Sequence, residues 1–368
     1  MRITLLSKAL VVGAYQRKCE HMAEHAGIEL SVLVPERWGA QRIERAHTQG
    51  YDMRVLPIRL SGNFHLHHYP TLPTQLRTLQ PDVFLIDEEP YNFATWAAMR
   101  AALALPKRPR IVFFSWQNLL RNYPPPFRWM EHDVLRRADA GIVGSAEAAQ
   151  VWRAKGFAGP LTVVPQFGVD EDAFTPGPPR DANSPFTIPF TVGFAGRLVP
   201  EKGVDLLLRA LGDAPGVQAR VLGDGPQRAA LTTLAQELGV AAHVRFEAPL
   251  PSTRMPEFYR GLDALVLPSR TLPNWKEQFG RVLIEAMACG VPVIGARSGE
   301  IPHVIGDAGL LFPEGDAAAL AAHLRTLTAD PALRAHFAHR GHARALAHFT
   351  MRAVARTTME ALTVTDKR

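Results

Sequence analysis

Cysteine is nearly absent from this chain: 368 residues carry only Cys19 and Cys289. Two cysteines so far apart, each in an apolar context, provide no disulfide framework and no thiolate set for zinc. That favours a reducing compartment. No apolar run reaches the length a membrane-spanning helix needs. The opening MRITLLSKALVVGAYQRK has the outline of a secretory leader, but Ser7 and Lys8 interrupt its apolar stretch and no clean small-residue cleavage pattern follows. A first strand followed by a loop is expected there, and a cytoplasmic location for the protein. Short repeats, low-complexity tracts, zinc-finger spacing and RNA-binding signatures are also lacking. A large excess of one charge is missing too. The net charge is +6 with a pI near 9.5, dispersed apart from small clusters at Lys107, Arg108 and Arg110 and at Arg136 and Arg137. Such a balance suits anionic substrates or peripheral contact with the inner face of a membrane. Without aromatic and basic residues interleaved it does not make a nucleic-acid surface.

What is present is alternation. RITLLS, IELSVLVP, MRVLPI, VFLID, RIVFFS, AGIVGS and LTVVPQ are short runs rich in Val, Ile and Leu, separated by amphipathic stretches such as YQRKCEHMAEHA and NFATWAAMRAAL. Continuous apolar strands between helices predict a parallel sheet covered on both faces. The pattern stops at PGPPRDANSPFTIP (176–189), which has no period and reads as a linker. It then restarts with FTVGFAG, QARVLGDG, VRFEAP, ALVLPS, PVIGA and GLLF. The chain is therefore expected to be α/β with two domains, at 1–175 and 190–349, and a last helical stretch in 350–368. Ligands are expected at carboxyl ends of strands, in the cleft between domains.

Residues 276–290, KEQFGRVLIEAMACG, place Glu277 and Glu285 in a run otherwise suited to burial. A helix from Gly280 to Cys289, closed by Gly290, puts Glu277 in the preceding loop and Glu285 inside the first turns. Buried carboxylates need partners, and vicinal hydroxyls of a ligand are suitable ones. Upstream, GFAGRLVPEKGVDLLLRAL ends a strand in glycines, offers Arg197 and Lys202, and starts a helix near Gly203. Glycines, two cations and a helix N-terminus together make an anion site. VLGDGP brings Gly223 to another strand end, an ordinary turn signal by itself. A ligand with hydroxyls at both ends and phosphates in the middle would fit this set.

GFAGRLVPEKGVDLLLRAL, VLGDGPQR, LVLPS and KEQFGRVLIEAMACGVPVIGARSGEIPHVI closely resemble the C-terminal domain of glycosyltransferase family 4, and PQFGVDEDAF and DAGLLFPEGD sit where that family has similar stretches. The resemblance is strong over 140–350 and weaker over 1–139. It implies a GT-B fold, two Rossmann-like domains facing across a cleft, with the last helix (MRAVARTTMEALTV) crossing back onto the first. The implied activity is retaining, metal-independent hexosyl transfer from a nucleotide diphosphate-sugar to a glycan or lipid-linked acceptor, in cell-surface or exopolysaccharide synthesis. The resemblance assigns the diphosphate to Arg197 and Lys202, sugar hydroxyls to Glu277 and the ribose to Glu285. It turns the backbone N–H groups of Phe279, Gly280 and Arg281 toward sugar and phosphate. No cofactor and no metal are implied, and no convincing Asp-x-Asp pair for one is found.

Departures fall in the N-terminal half. Where many family members carry a donor-contacting histidine, this chain reads SWQNL, leaving Gln117 or Asn118 to supply a hydrogen bond. IDEEPYN sets Asp87, Glu88 and Glu89 at a strand end, either a solvated loop or, through Glu88 and Glu89, an acceptor contact. Gly13 stands where the family has a glycine-rich loop near the donor phosphate, or marks a turn. HMAEH (21–25) matches a zinc-protease pattern too short to carry a metal assignment. FHLHHYP (64–70) reads as a polar loop or an acceptor contact. Trp116, Pro124–Pro126, Phe127, Arg128 and Trp129 read as a packed loop or a membrane approach. The rival functional class is a non-catalytic nucleotide-sugar-binding partner of the same fold.

Overall fold

The computed structural model describes residues 1–177 and 190–363. Of the expected linker, Pro176 and Gly177 are described and the remainder lies outside the described residues. The chain divides into two compact units, Met1–Gly168 together with the C-terminal helix, and Val169–Thr350.

The first unit contains β1 (Arg2–Ser7), β2 (Glu29–Pro35), a short hairpin of β3 (Arg37–Trp38) and β4 (Gln41–Arg42), β5 (Asp52–Leu56), β6 (Val83–Asp87), β7 (Arg110–Ser115), β8 (Ala140–Val143) and β9 (Leu161–Val163). Its helices are α1 (Arg17–Ala23), α2 (Leu72–Leu79), α3 (Phe93–Leu103), α4 (Phe127–Arg137) and α5 (Ala146–Ala154). The main sheet runs β5-β2-β1-β6-β7-β8-β9, every pair parallel. Side chains alternate across it with the period of two that a strand imposes. Val83 and Leu85 face one core and Phe84 and Ile86 the other. Each face therefore needs a helical cover, which is why these strands read as unbroken apolar runs.

The second unit has β10 (Phe190–Ala195), β11 (Val217–Leu222), β12 (Val244–Glu247), β13 (Ala264–Leu267), β14 (Val293–Ala296) and β15 (Leu310–Phe312). These lie in the order β12-β11-β10-β13-β14-β15, again all parallel. Around them stand α6 (Val204–Gly212), α7 (Arg228–Glu237), α8 (Met255–Arg260), α9 (Arg281–Ala288), α10 (Ile301–Ile305), α11 (Ala317–Ala329) and α12 (Pro331–His348). In both sheets the strand order reverses beside the first strand, between β1 and β6 and between β10 and β13. A doubly wound sheet binds its ligand in that crevice, outside the carboxyl ends of the strands.

One boundary differs from expectation. Residues 169–175 belong to the second unit. The Val169 N–H donates to the Phe349 carbonyl at 2.8 Å, and the Arg260 guanidinium binds the carbonyls of Thr175 (2.8 Å) and Ala173 (3.2 Å). The last helix, α13 (Met351–Thr363), packs in the first unit against α1, burying Val354, Met359 and Leu362 with Cys19 and Met22. Each such buried side chain contributes about 1.5–3 kcal/mol. Arg352 anchors the exposed side of this contact through Glu24 (2.7 Å).

Candidate nucleotide-sugar site

In the second unit the switch point is furnished by two turns. After β10 the chain passes the exposed Arg197, makes a single turn over Pro200–Lys202 and enters α6 through Gly203 at φ +66°. A Cβ on Gly203 would lie 2.1 Å from the Pro268 carbonyl oxygen, so only glycine lets this turn close against the end of β13. The closure brings Lys202 Nζ to Glu277 Oε2 at 2.6 Å. Ser269 Oγ donates to the same oxygen at 2.9 Å, and the Trp275 ring lies 5.0 Å from the ammonium. Glu277 itself is 7% exposed, and its carbonyl accepts the Glu300 N–H at 3.1 Å, which pins the loop.

Glu285 occupies the inner side of α9. Gly280 starts that helix at φ +79°, and Gly290 follows its end at φ +71°. Arg281, one turn earlier, brings Nε to Glu285 Oε1 at 2.8 Å, and the Tyr259 hydroxyl donates to Oε2 at 2.6 Å. Burial pushes this carboxyl upward, opposed by the Arg281 charge and the Tyr259 and Arg281 hydrogen bonds. Hydroxyls of a ligand were the only partners expected for the two acids. The structure adds protein partners for each, because a carboxylate this deep must be paired. Phe279 packs its ring on Phe349 (5.8 Å between centroids), leaving its backbone at the helix start. Gly223 closes β11, with its N–H donating to the Glu247 carbonyl at 3.0 Å.

The first unit gathers another polar cluster at its own switch point. Ser7 and Asp87 are paired residues of β1 and β6, and the three acids that follow the strand end are all engaged. Asp87 accepts from Ser7 Oγ (2.5 Å) and Gln166 Nε2 (2.8 Å). Glu88 pairs with Lys8, accepts from the Tyr69 hydroxyl (2.9 Å), and lies 3.4 Å from His67 Nε2. Glu89 accepts from Ser115 Oγ (2.5 Å) and the Trp116 N–H (2.8 Å). Burial pushes Glu88 up, but Lys8 and His67 more than offset it and hold the carboxyl at about 2. For Glu89 burial wins over its two hydrogen bonds, leaving it at about 7. The solvated-loop alternative for this triplet is thereby corrected: Asp87 and Glu88 are buried and Glu89 half-buried, held by Ser7 and Ser115 at the ends of the flanking strands and by Lys8, Tyr69 and Gln166 from loops.

Gln117 and Asn118 are likewise inward. Gln117 Nε2 donates to the Leu119 carbonyl (3.1 Å), and Asn118 Nδ2 lies 3.4 Å from Glu147 Oε2. Gly13 is buried, its N–H donating to Glu44 Oε2 at 2.7 Å. In HMAEH, His21 Nδ1 bonds Glu24 (2.9 Å) and His25 Nδ1 its own helix carbonyls (3.2 Å), as ordinary helix-face histidines do. The Pro124–Trp129 stretch opens α4, and Trp129 stays 56% exposed beside Trp96.

Sequence reasoning missed Ser269, Trp275 and Tyr259 around the two acids, and Lys8, His67 and Tyr69 around Glu88. LVLPS contained Ser269 at a strand end, a usable signal. Tyr259 had none, since a tyrosine on an amphipathic helix reads as core.

Comparisons with known proteins follow the same division. A profile described as "Glycosyl transferases group 1" matches residues 180–344, and one described as "Glycosyltransferase Family 4" matches residues 16–172. A D-inositol 3-phosphate glycosyltransferase of Mycobacteroides abscessus is 37% identical over 195 residues, covering 50% of this chain and 43% of that protein. The match thus spans less than half the length of that curated relative. Among solved structures, Anabaena Alr3699/HepE in complex with UDP is similar with a TM-score of 0.75 at 21% identity, over 99% of this chain and 100% of that one. Sucrose-phosphate synthase from Thermosynechococcus elongatus gives 0.71 at 21% identity, over 98% of each chain. At these identities the structural likeness establishes the fold.

Proposed function

From the premise that this chain belongs to glycosyltransferase family 4 and is built on the GT-B fold, we propose that it moves a sugar from a nucleoside diphosphate sugar to a glycan or lipid-linked hydroxyl, with retention at the anomeric carbon. The observation that carries this is the Lys202–Glu277–Ser269 cluster at the switch-point crevice of the second unit. An incoming diphosphate competes for the Lys202 ammonium. Glu277 then turns its acceptor capacity to hydroxyls of the sugar. Lys202 and Arg197 stabilise the charge that grows on the diphosphate as the anomeric bond breaks, while the sugar passes through an oxocarbenium-like state. The N–H groups of Phe279, Gly280 and Arg281 at the start of α9 are donors to phosphate or sugar oxygens. Glu285 keeps lone pairs beyond its bonds to Tyr259 and Arg281, enough to accept from a ribose hydroxyl. The departing phosphate takes the acceptor's proton, so no residue of the chain is required as base and no metal enters the step. UDP is the first nucleotide to try, because the Anabaena relative was solved with it. We place the acceptor at the first unit, at or near Gly13, Glu88, Glu89, Gln117 and Asn118, and the reaction in surface or exopolysaccharide assembly at the inner membrane face.

Thermal unfolding with UDP, GDP, ADP and their glucose derivatives tests the donor assignment. A ligand at about 100 times its Kd stabilises by about 2.7 kcal/mol, several degrees for units of this size. A shift with one base, followed by consumption of its sugar nucleotide when acceptor is added, supports transfer. Binding without consumption identifies a non-catalytic partner instead, and no shift with any nucleotide overturns the site.

A further inference from the structure

Residues 270–276 leave and re-enter one cluster, since Ser269 Oγ before them donates to Glu277 Oε2 after them at 2.9 Å. Between these ends RTLPNWK makes a tight turn. The Leu272 N–H donates to the Trp275 carbonyl at 2.8 Å, and the Trp275 N–H returns the bond to the Leu272 carbonyl at 3.2 Å. Pro273 and Asn274 at the tip are turn residues. The turn is fastened on two sides. The Arg270 N–H donates to the Glu201 carbonyl at 2.8 Å and its guanidinium pairs with Asp205 at 2.6 Å, which ties it to the segment that carries Lys202. On the other side Thr271 donates to Glu314 through its N–H (2.8 Å) and its hydroxyl (2.6 Å). The backbones of Lys202 and Trp275 are thus fixed relative to each other.

Trp275 is half-buried and, among the described residues, stands outside the hydrophobic core of its unit. So large an apolar side chain, left out of a core, calls for another use. The contact it makes is with a charge. The Lys202 ammonium lies 5.0 Å from the ring centroid, within the range of a cation–π interaction. The Lys202 side chain is 22% exposed and that of Glu277 only 9%, so the attraction acts in a partly desolvated place, where it is stronger than at an open surface.

The carboxylate and the ring hold the same cation in different ways. Glu277 is an anion, so a diphosphate that takes the ammonium must displace it. The indole is neutral and attracts through its quadrupole, so it competes with no phosphate and keeps its hold when Glu277 lets go. Lysine is a point charge on a flexible four-carbon stem, and freedom that is lost only on binding lowers affinity. A partner that survives the exchange removes part of that loss.

We propose that Trp275 is a positioning residue, whose ring holds the Lys202 ammonium in the crevice both before and after a diphosphate replaces Glu277. The inference rests on the donor reading for the diphosphate, and on the geometry of the turn for the lysine.

The test uses the full chain labelled with [13C]lysine, which leaves seven lysines to resolve by NMR. The nucleotide is UDP, or GDP or ADP if one of those gives the thermal shift. The Lys202 ε-methylene signal is identified by its loss in Lys202→Ala. It is expected to lie upfield of the other lysines through the indole ring current, to stay there with nucleotide bound, and to move downfield in Trp275→Leu. In calorimetric titrations Trp275→Leu is expected to weaken the nucleotide about three- to tenfold, and Trp275→Phe, which keeps a ring face, about twofold or less. In a Lys202→Ala background Trp275→Leu adds nothing, because the group it acts through is gone. Equal weakening in both backgrounds overturns the proposal, since the indole then acts by packing or on the nucleotide itself. A Lys202 signal among the other lysines, or wild-type affinity in Trp275→Leu, overturns it as well. A shifted Lys202 signal in a wild type that binds no nucleotide sinks the donor reading and spares the lysine–indole contact.

Discussion

The two units share a strand order and a place for their polar residues, yet they handle charge differently. In the second unit the switch point carries the Lys202–Glu277 ion pair, partly open to solvent, the Arg270–Asp205 pair beside it, and an exposed Arg197. In the first, the same position holds Lys8, His67 and three consecutive acids locked to one another and to Ser7, Tyr69, Ser115 and Gln166. A sparse, half-open pair exchanges partners easily when a diphosphate arrives. A dense buried network does not exchange, because removing either partner leaves an uncompensated charge. The second unit's Lys202 is thus the more open of the two lysines, whereas the first unit's Lys8–Glu88 pair is held in a buried network.

The largest expected effect attacks the locked network. Glu88→Gln strands the Lys8 charge and is expected to destabilise the chain by about 3–5 kcal/mol at neutral pH, read by urea unfolding. Because the folded state holds this carboxyl at about 2, below its ordinary 4.5, its contribution is present above 4.5 and is lost as pH falls toward 2. The gap between wild type and variant therefore narrows on acidification. A gap that stays constant from about pH 5 to about pH 2 would mean the pair contributes no charge–charge stability.

Lys202→Ala comes next and inverts the pattern, with catalysis lost and the fold kept. A transfer rate lower by about 10²–10³-fold is expected, with unfolding changed far less than in Glu88→Gln. Wild-type turnover in this variant removes the diphosphate assignment. Glu285→Gln is smaller. It preserves an acceptor for Tyr259 and is expected to weaken nucleotide-sugar binding about tenfold, or about 1.4 kcal/mol. If affinity is unchanged, the carboxylate only pins Tyr259 and Arg281.

A prediction of another kind, read from pH alone, belongs to Glu89. Its folded state holds the proton up to about 7, so wild-type stability relative to Glu89→Gln should fall as pH rises from about 4.5 to about 7. A flat difference across that window would show that the carboxyl titrates normally. It would also make the first unit's edge more like the second's than the comparison allows.

How much of this was legible depended on distance along the chain. Strands such as VFLID and RIVFFS were readable because both faces are buried and every residue is apolar. The stretches carrying Lys202, Gly203, Glu277 and Glu285 stood out because each resembles a family motif within one short window. The Lys8–Glu88 pair spans 80 positions and Tyr259–Glu285 spans 26, so no window contains both partners. The boundary at Gly168 was misplaced for the same reason, since it is set by bonds from Val169 to Phe349 and from Arg260 to Thr175.

The parallel α/β architecture and the helix carrying Glu285 were legible in the sequence, since hydrophobic period and glycine placement are local properties. Folding decided which protein groups satisfy the buried acids, and which side-chain atoms of Asn92, Thr71 and His68 lack a hydrogen-bond partner among the described residues. Hydrogen bonds and ion pairs form between atoms brought within about 3 Å by folding, and nothing in a linear order of residues states that distance.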